Sequence, residues 1–315
     1  MNEETQVSVW LRHPSVECWN FRDRHRERFE SNDSSMQLTV CETEKEFLTS
    51  LLHAEIALVW RFQDKWLDAA PDLRWIITPA AGRDYFHVEP RPDLELSYGA
   101  FHGEIMGETA LAMMLAHCRG IIAAPGLWAK HEWPRIEIAP LMTTLRGQRL
   151  CVLGYGNIGS WVARLAAPFG VKTIGVARSA RPGDEFCERV ASAEELDALL
   201  PETDFLVVAL PSGGSTDAIV GAEQLALLPS NAAIVNIGRG NAIDERALVE
   251  ALQSNSIAAA YLDVFEEEPL PADSALRRCE RAFLLPHASA MAPNYMDLFV
   301  EETLTRFRER GLARA

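Results

Sequence analysis

Three polar residues stand just past apolar runs in the second half of the chain. Arg239 follows the run 233–237 (AIVNI) within Asn236-Ile-Gly-Arg-Gly240. Glu268 closes the acidic stretch of Leu262-Asp-Val-Phe-Glu-Glu-Glu-Pro269, after the run 257–262. His287 follows the run 282–285 in Pro286-His287. Short apolar runs of this kind read as buried strands, and open α/β sheets bind ligands at the carboxyl ends of their strands. Taken singly, each residue has a plain structural reading: a surface cation, a solvated loop, a hydrogen-bonded histidine. Together they offer an anion-binding arginine, a carboxylate and a histidine. That set can hold a 2-oxo acid, polarise its carbonyl and protonate the oxygen when a hydride reaches the carbon.

A hydride donor has its own signature upstream. Leu150 to Gly159 (LCVLGYGNIG) is an apolar run followed by Gly154, Gly156 and Gly159. In G-x-G-x-x-G spacing the first glycine permits a tight turn, the second lets the backbone approach a pyrophosphate, and the third lets the next helix pack on the strand. The context is complete: a strand over 148–153, a helix over 160–169 closed by Gly170, and a second strand over 171–176. The loop residues Gly154, Tyr155, Gly156, Asn157, Ile158 and Gly159 are therefore candidates for the dinucleotide, with the helix N-terminus turned to its phosphates. An NAD site places an acid at the end of the second strand. Here that position is Ala177, followed by Arg178, Ser179 and Arg181. Arginine with a neighbouring hydroxyl suits a 2′-phosphate, which favours NADP(H) while leaving NAD(H) open.

A chain of 315 residues accommodates two domains. Strands and helices alternate through the first hundred residues: strands at 7–11, 36–40, 56–60 and 74–78, helices at 22–30 and 44–52, and a loop at 87–93. A long apolar helix at 104–122 follows, then a linker-like stretch at 125–147 with Trp128 and Trp133. The second α/β block runs from Leu150, with a final helix at 292–311. The expected fold is α/β, with two doubly wound parallel-sheet (Rossmann-like) domains. If the last helix returns to the first domain, residues 1–103 and 288–315 form a substrate domain and 104–287 a dinucleotide-binding domain inserted into it. A formal net charge of −15 argues against nucleic acid or an anionic membrane surface as partner. The six cysteines have no metal-ligand spacing, so no metal is expected. With no signal-peptide layout at the N-terminus, the expected compartment is the cytoplasm.

The motifs together resemble the D-isomer-specific 2-hydroxyacid dehydrogenases, over most of the chain and most densely from Gly103 to Ser289. The family's signatures stand here as GYGNIG (154–159), NIGRGNAIDERAL (236–248), LDVFEEEPL (262–270) and PHAS (286–289). The resemblance implies that Arg239, Glu268 and His287 are the catalytic set, and that Asp263 lies near the nicotinamide, with Ile237 and the turn from Pro211 to Thr216 beside the cofactor. It also implies that the backbone of Ala81 and Gly82, in Ala80-Ala81-Gly82-Arg83-Asp84, holds the substrate carboxylate. Arg83 departs from the family's small apolar residue there, and Pro211-Ser-Gly-Gly-Ser-Thr216 departs from its P-x-T-P-x-T turn. Ala57-Leu-Val-Trp-Arg61 and the ARS turn at 177–179 look like the glyoxylate/hydroxypyruvate reductase branch. By that similarity Trp60 walls a pocket for small substrates, although the same residue reads equally well as core. The implied partners are a small 2-oxo or 2-hydroxy acid and a second copy of the chain. The competing readings are an NAD(P)-sensing regulator of corepressor type on the same fold, another oxidation within the family, and an unrelated Rossmann protein.

Overall fold

The computed structural model describes residues 4–32, 36–83, 86–89 and 91–312. Asp84 and Pro90, which belong to the substrate-loop match and the 87–93 loop, lie outside them. The chain divides into two compact units, Met1–His102 with Met291–Ala315, and Gly103–Ala290.

The first unit is built from β1 (Thr5–Trp10), α1 (Asp23–Asn32), β2 (Met36–Val40), α2 (Glu44–Ser50), β3 (Ile56–Val59), β4 (Phe62–Gln63), β5 (Trp75–Thr78), β6 (Phe86–His87) and β7 (Glu95–Tyr98). Five of these strands form a parallel sheet in the order β2-β1-β3-β5-β7. Every residue of β3 and β5 is buried, which is why they read as unbroken apolar runs. The edge strand β7 (ELSY) is short and half-polar and carries no such signal. The order reverses between β1 and β3, so the crevice of this sheet opens where Trp10 ends β1 and Trp60 follows β3.

The second unit opens with α3 (His102–Cys118), whose Met106, Ala110, Met113, Met114 and Cys118 are buried. The helix stops at Cys118 instead of running to 122, because Gly120 takes φ +61° and turns the chain. The stretch expected as a linker holds two short helices, α4 (Ala124–Trp128) and α5 (Arg135–Ile138). Next come β8 (Arg149–Leu153), α6 (Asn157–Ala166), β9 (Lys172–Ala177), β10 (Arg181–Asp184), β11 (Cys187–Ser192) and α7 (Leu196–Leu199). The unit continues with β12 (Phe205–Val208), α8 (Ala222–Leu227), β13 (Ala233–Asn236), α9 (Glu245–Gln253), β14 (Ala259–Leu262) and β15 (Ala282–Leu284). They form an eight-stranded sheet, β10-β11-β9-β8-β12-β13-β14-β15. All neighbours are parallel except β10 and β11, an antiparallel hairpin at the edge. Its first strand is Arg-Pro-Gly-Asp, which reads as a turn; proline is tolerated there because an edge strand can leave one side unpaired. Strand order reverses between β8 and β12, so the glycine turn after β8 lies at the switch point.

The final helix, α10 (Tyr295–Glu309), belongs to the first unit. Met296, Phe299, Val300, Leu304 and Phe307 complete its core with Val7, Val9, Leu58 and Phe29. Pro293 delays the start of this helix beyond the expected 292.

Candidate active site

Three neighbouring strands of the second unit lead into the loops that carry Arg239, Glu268 and His287. The chain leaves β13 through Ile237 and Gly238 to Arg239, β14 directly into Asp263, and β15 through Leu285 and Pro286 to His287.

Arg239 stands on a turn fixed from inside. Asn236, 1% exposed, accepts the Gly238 N–H at 3.1 Å through its side-chain oxygen and donates its amide to the Arg239 carbonyl at 3.0 Å. The guanidinium is partly exposed and donates Nη1 to the Gly238 carbonyl at 2.9 Å. Asn236 was not among the expected site residues. Its one signal in the sequence is an amide at the end of an otherwise apolar strand.

Glu268 and His287 meet directly. Glu268 Oε2 lies 2.6 Å from His287 Nδ1, and Glu268 Oε1 accepts the Phe265 N–H at 3.0 Å. Their side chains keep 33% and 38% exposure, so a substrate can reach the ring. Burial pulls the Glu268 carboxyl upward. The hydrogen bonds from His287 and Phe265, with the charges of His287 and Arg239, outweigh it and hold the carboxyl below its ordinary value.

His287 has φ +52°, in the left-handed region that a side chain other than glycine's rarely adopts. Asp263 holds it there. Its carbonyl accepts the His287 N–H at 2.8 Å, and its fully buried carboxylate accepts the N–H groups of Ala288 at 2.6 Å and Ser289 at 3.0 Å. These bonds also keep residues 288–290 with the second unit. A second clamp steadies the acidic loop: Glu245 N–H donates to Glu266 Oε1 at 3.1 Å, and Glu266 N–H to Glu245 Oε1 at 2.7 Å.

The glycine turn has the shape that a dinucleotide requires. Gly154 takes φ +101°, and a Cβ there would lie 2.6 Å from the Ala209 carbonyl oxygen. A Cβ on Gly159 would lie 2.4 Å from the Gly154 carbonyl oxygen, whereas one on Gly156 would meet nothing within 4 Å. The turn is thus tight at Gly154 and Gly159 and open at Gly156. Helix α6 starts at Asn157, one residue after Gly156, rather than at 160, so Asn157, Ile158 and Gly159 form its first turn. Arg178 and Ser179 are exposed just past β9. Arg181 lies on β10 and donates Nη2 to the Tyr155 carbonyl at 2.7 Å. The Pro211 turn is closed by Thr216, whose hydroxyl bonds to the Pro211 and Gly213 carbonyls at 3.0 and 2.7 Å. The Ile237 side chain is fully buried and its N–H bonds to the Val208 carbonyl, which leaves only its carbonyl side for a ligand.

In the first unit the candidate substrate residues follow neighbouring strands, Trp60 after β3 and Ala81, Gly82 and Arg83 after β5. Ala80 anchors the loop: its N–H bonds to Thr78 Oγ1 at 3.1 Å and its carbonyl accepts the Gly99 N–H at 3.0 Å. Trp60 is half-buried, donates Nε1–H to the Trp19 carbonyl at 3.1 Å and stacks on Tyr295 at 6.0 Å between centroids. It is both packed and at the crevice. Arg83 is exposed, with its guanidinium over the Tyr98 ring at 5.3 Å.

The profile of the family described as "D-isomer specific 2-hydroxyacid dehydrogenase, NAD binding domain" matches residues 111–289, more than half of the chain. The chain belongs to this family. Among its relatives, a glyoxylate/hydroxypyruvate reductase B of Yersinia pestis is 34% identical over 253 residues, 78% of this chain and 77% of the relative. A glyoxylate reductase of Aeropyrum pernix is 37% identical over 232 residues, 71% and 69% of the two chains. The crystal structure of an NADPH-dependent glyoxylate/hydroxypyruvate reductase from Sinorhizobium meliloti, in complex with NADP and sulfate, superposes with a TM-score of 0.78. It is 28% identical, with 98% of this chain and 96% of that one covered. As a member of the family, the chain has the mixed α/β, two-unit Rossmann-like architecture expected of it. Among the described residues no helix is long and apolar enough to cross a membrane.

Proposed function

We propose that this dehydrogenase-family chain reduces a small 2-oxo acid of the glyoxylate or hydroxypyruvate type to the D-2-hydroxy acid, with NADPH as preferred cofactor. The observation that carries the reading is the 2.6 Å contact of Glu268 with His287 beside the Arg239 turn, at the ends of neighbouring strands. The named activities of the relatives agree with it. In this reading 104–287 binds the nucleotide, while 1–103 with 288–315 binds the substrate.

The tight turn at Gly154, its open side at Gly156 and the α6 N-terminus suit a pyrophosphate. Arg178, Ser179 and Arg181 suit a 2′-phosphate. The bound nicotinamide supplies the hydride. Arg239 pairs with the substrate carboxylate and polarises the carbonyl. The first unit offers the N–H groups of Ala81 and Gly82, which have no acceptor among the described residues. His287 is bound to Glu268 through Nδ1, so Nε2 is the nitrogen that gives the proton to the substrate oxygen. Glu268 keeps the ring oriented. Trp60, packed on Trp19 and Tyr295, gives the substrate crevice a rigid apolar wall that favours small acids.

The test is a panel of glyoxylate, hydroxypyruvate, pyruvate, phenylpyruvate and 2-ketoisovalerate with NADPH and with NADH, read at the nicotinamide absorbance. Glyoxylate or hydroxypyruvate should turn over fastest, with NADPH. Arg239→Ala should lower kcat and raise KM, costing about 10²- to 10³-fold in kcat/KM. Cofactor binding without turnover of any 2-oxo acid would favour the nucleotide-sensing regulator.

A further inference from the structure

One side chain ties the glycine turn to the edge hairpin. Tyr155 is 3% exposed although it stands between Gly154 and Gly156. Its ring lies on β9, so close that a Cβ on Gly175 would come within 2.4 Å of it. Its hydroxyl donates to the carboxylate of Asp184, the last residue of β10, at 2.9 Å from Oδ2 and 3.0 Å from Oδ1. Arg181, the first residue of β10, donates Nη2 to the Tyr155 carbonyl at 2.7 Å and places its guanidinium carbon 6.0 Å from the centre of the ring. The strand is therefore pinned to residue 155 at both ends, by the side chain at Asp184 and by the backbone at Arg181. Otherwise β10 is a four-residue strand with every residue exposed, paired only to β11. Arg178 and Ser179 lie on the turn that joins β9 to this strand.

The acid that ends β10 is occupied by the same arrangement. Asp184 accepts the Tyr155 hydroxyl with both oxygens and the Phe186 N–H at 2.9 Å with Oδ1. A ribose 2′-hydroxyl would need a free acceptor in this region. Burial, then the bond to Asp184, push the Tyr155 phenol far above its ordinary value, so it remains a donor at any working pH.

We propose that Tyr155, through Asp184, is a positioning residue for cofactor selectivity: it fixes the β10–β11 hairpin so that Arg178, Ser179 and Arg181 meet the 2′-phosphate, without its own side chain touching the cofactor. This rests on the NADPH reading above. Loosening the hairpin should cost NADPH more than NADH, because only NADPH carries the group that the hairpin receives.

The experiment is calorimetric titration of the full chain with NADPH and with NADH, for wild type, Tyr155→Phe, Asp184→Ala and the double variant. Phenylalanine keeps the ring that packs on Gly175. Each single variant should lower the ratio of the NADH Kd to the NADPH Kd about fivefold, the worth of one hydrogen bond. The double variant should fall no further, because both changes remove one interaction. Equal weakening of both cofactors, which a merely structural role would produce, overturns the proposal, and so does an unchanged ratio. If Tyr155→Phe fails to fold, Asp184→Ala carries the same comparison at an exposed carboxylate. A wild type without preference for NADPH overturns the cofactor reading and this proposal with it. A wild type that prefers NADPH, with unchanged ratios in the variants, overturns this proposal alone.

Discussion

Glu268 is drawn in two directions. Burial favours its neutral form, and the His287 ring, the Phe265 N–H and the Arg239 charge favour the carboxylate and win. A carboxyl lowered in the folded state adds stability that is complete above its unfolded pKa and is lost as pH falls through the lowered folded value. The Glu268–His287 contact should therefore persist through the weakly acidic range. In the proposed reading His287 gives the proton, and its ring is oriented by this contact. Glu268→Gln should therefore lower kcat/KM by about 10²-fold. Steady-state kinetics of the two proteins decide it: an unchanged kcat/KM would separate Glu268 from the proton transfer. The residue types of this set were legible because each follows an apolar run. What sequence could not show is where a carboxylate points. Asp263 was expected near the nicotinamide, and its side chain is engaged by two backbone N–H groups of the histidine loop.

At the scale of elements, the site depends on loops that touch. Gly240 ends the Arg239 turn and lies against the acidic loop: a Cβ there would stand 1.8 Å from the Phe265 carbonyl carbon and 2.0 Å from its oxygen. That contact is with backbone, which cannot rotate away. Gly240→Ala should therefore displace the Phe265–Glu266 peptide, whose N–H donates to Glu245, and with it the loop that carries Glu268, lowering kcat by about tenfold or more and thermal stability by about 1–3 kcal/mol. Steady-state kinetics and a melting curve read both; a variant with wild-type kcat would show that the two loops are not coupled. The strands of the inner sheet were legible because β12, β13 and β14 are buried along their whole length. The hairpin at the edge was not, since Arg181 to Asp184 carry no apolar residue and owe their strand form to β11 and to Tyr155.

At the scale of the molecule, each unit carries its own core. The long helix at the C-terminus buries Phe299, Val300, Leu304 and Phe307 in the first unit, and the ion pairs Arg28–Glu301 and Arg310–Glu95 lie within that unit as well. The sequence could raise this return of the chain as a possibility but could not settle it, because an amphipathic helix does not name the sheet it covers. The second unit presents an apolar surface of its own between α3 and β8. Trp133 is 65% exposed and Ile136 83%, with Ile121, Trp128 and Leu141 also exposed. Among the described residues this is a concentrated run of large apolar side chains facing water, and such a patch marks an interaction surface. We propose that a second copy of the chain covers it. Sedimentation of the wild type should give a dimer and Trp133→Glu a monomer; a wild-type chain that sediments as a monomer at micromolar concentration would remove the assignment.

The left-handed backbone at His287 bears on what selects the residue at that position. Glycine adopts this conformation without a steric penalty, and asparagine more readily than most residues. A loop shaped by folding stability alone would carry one of them. Histidine stands there against the preference of its own main chain, with Asp263 supplying the bonds that keep it in place. In the reading in which His287 gives the proton, stability and chemistry favour different residues at one position, and the neighbouring carboxylate of Asp263 makes the unfavourable conformation tolerable.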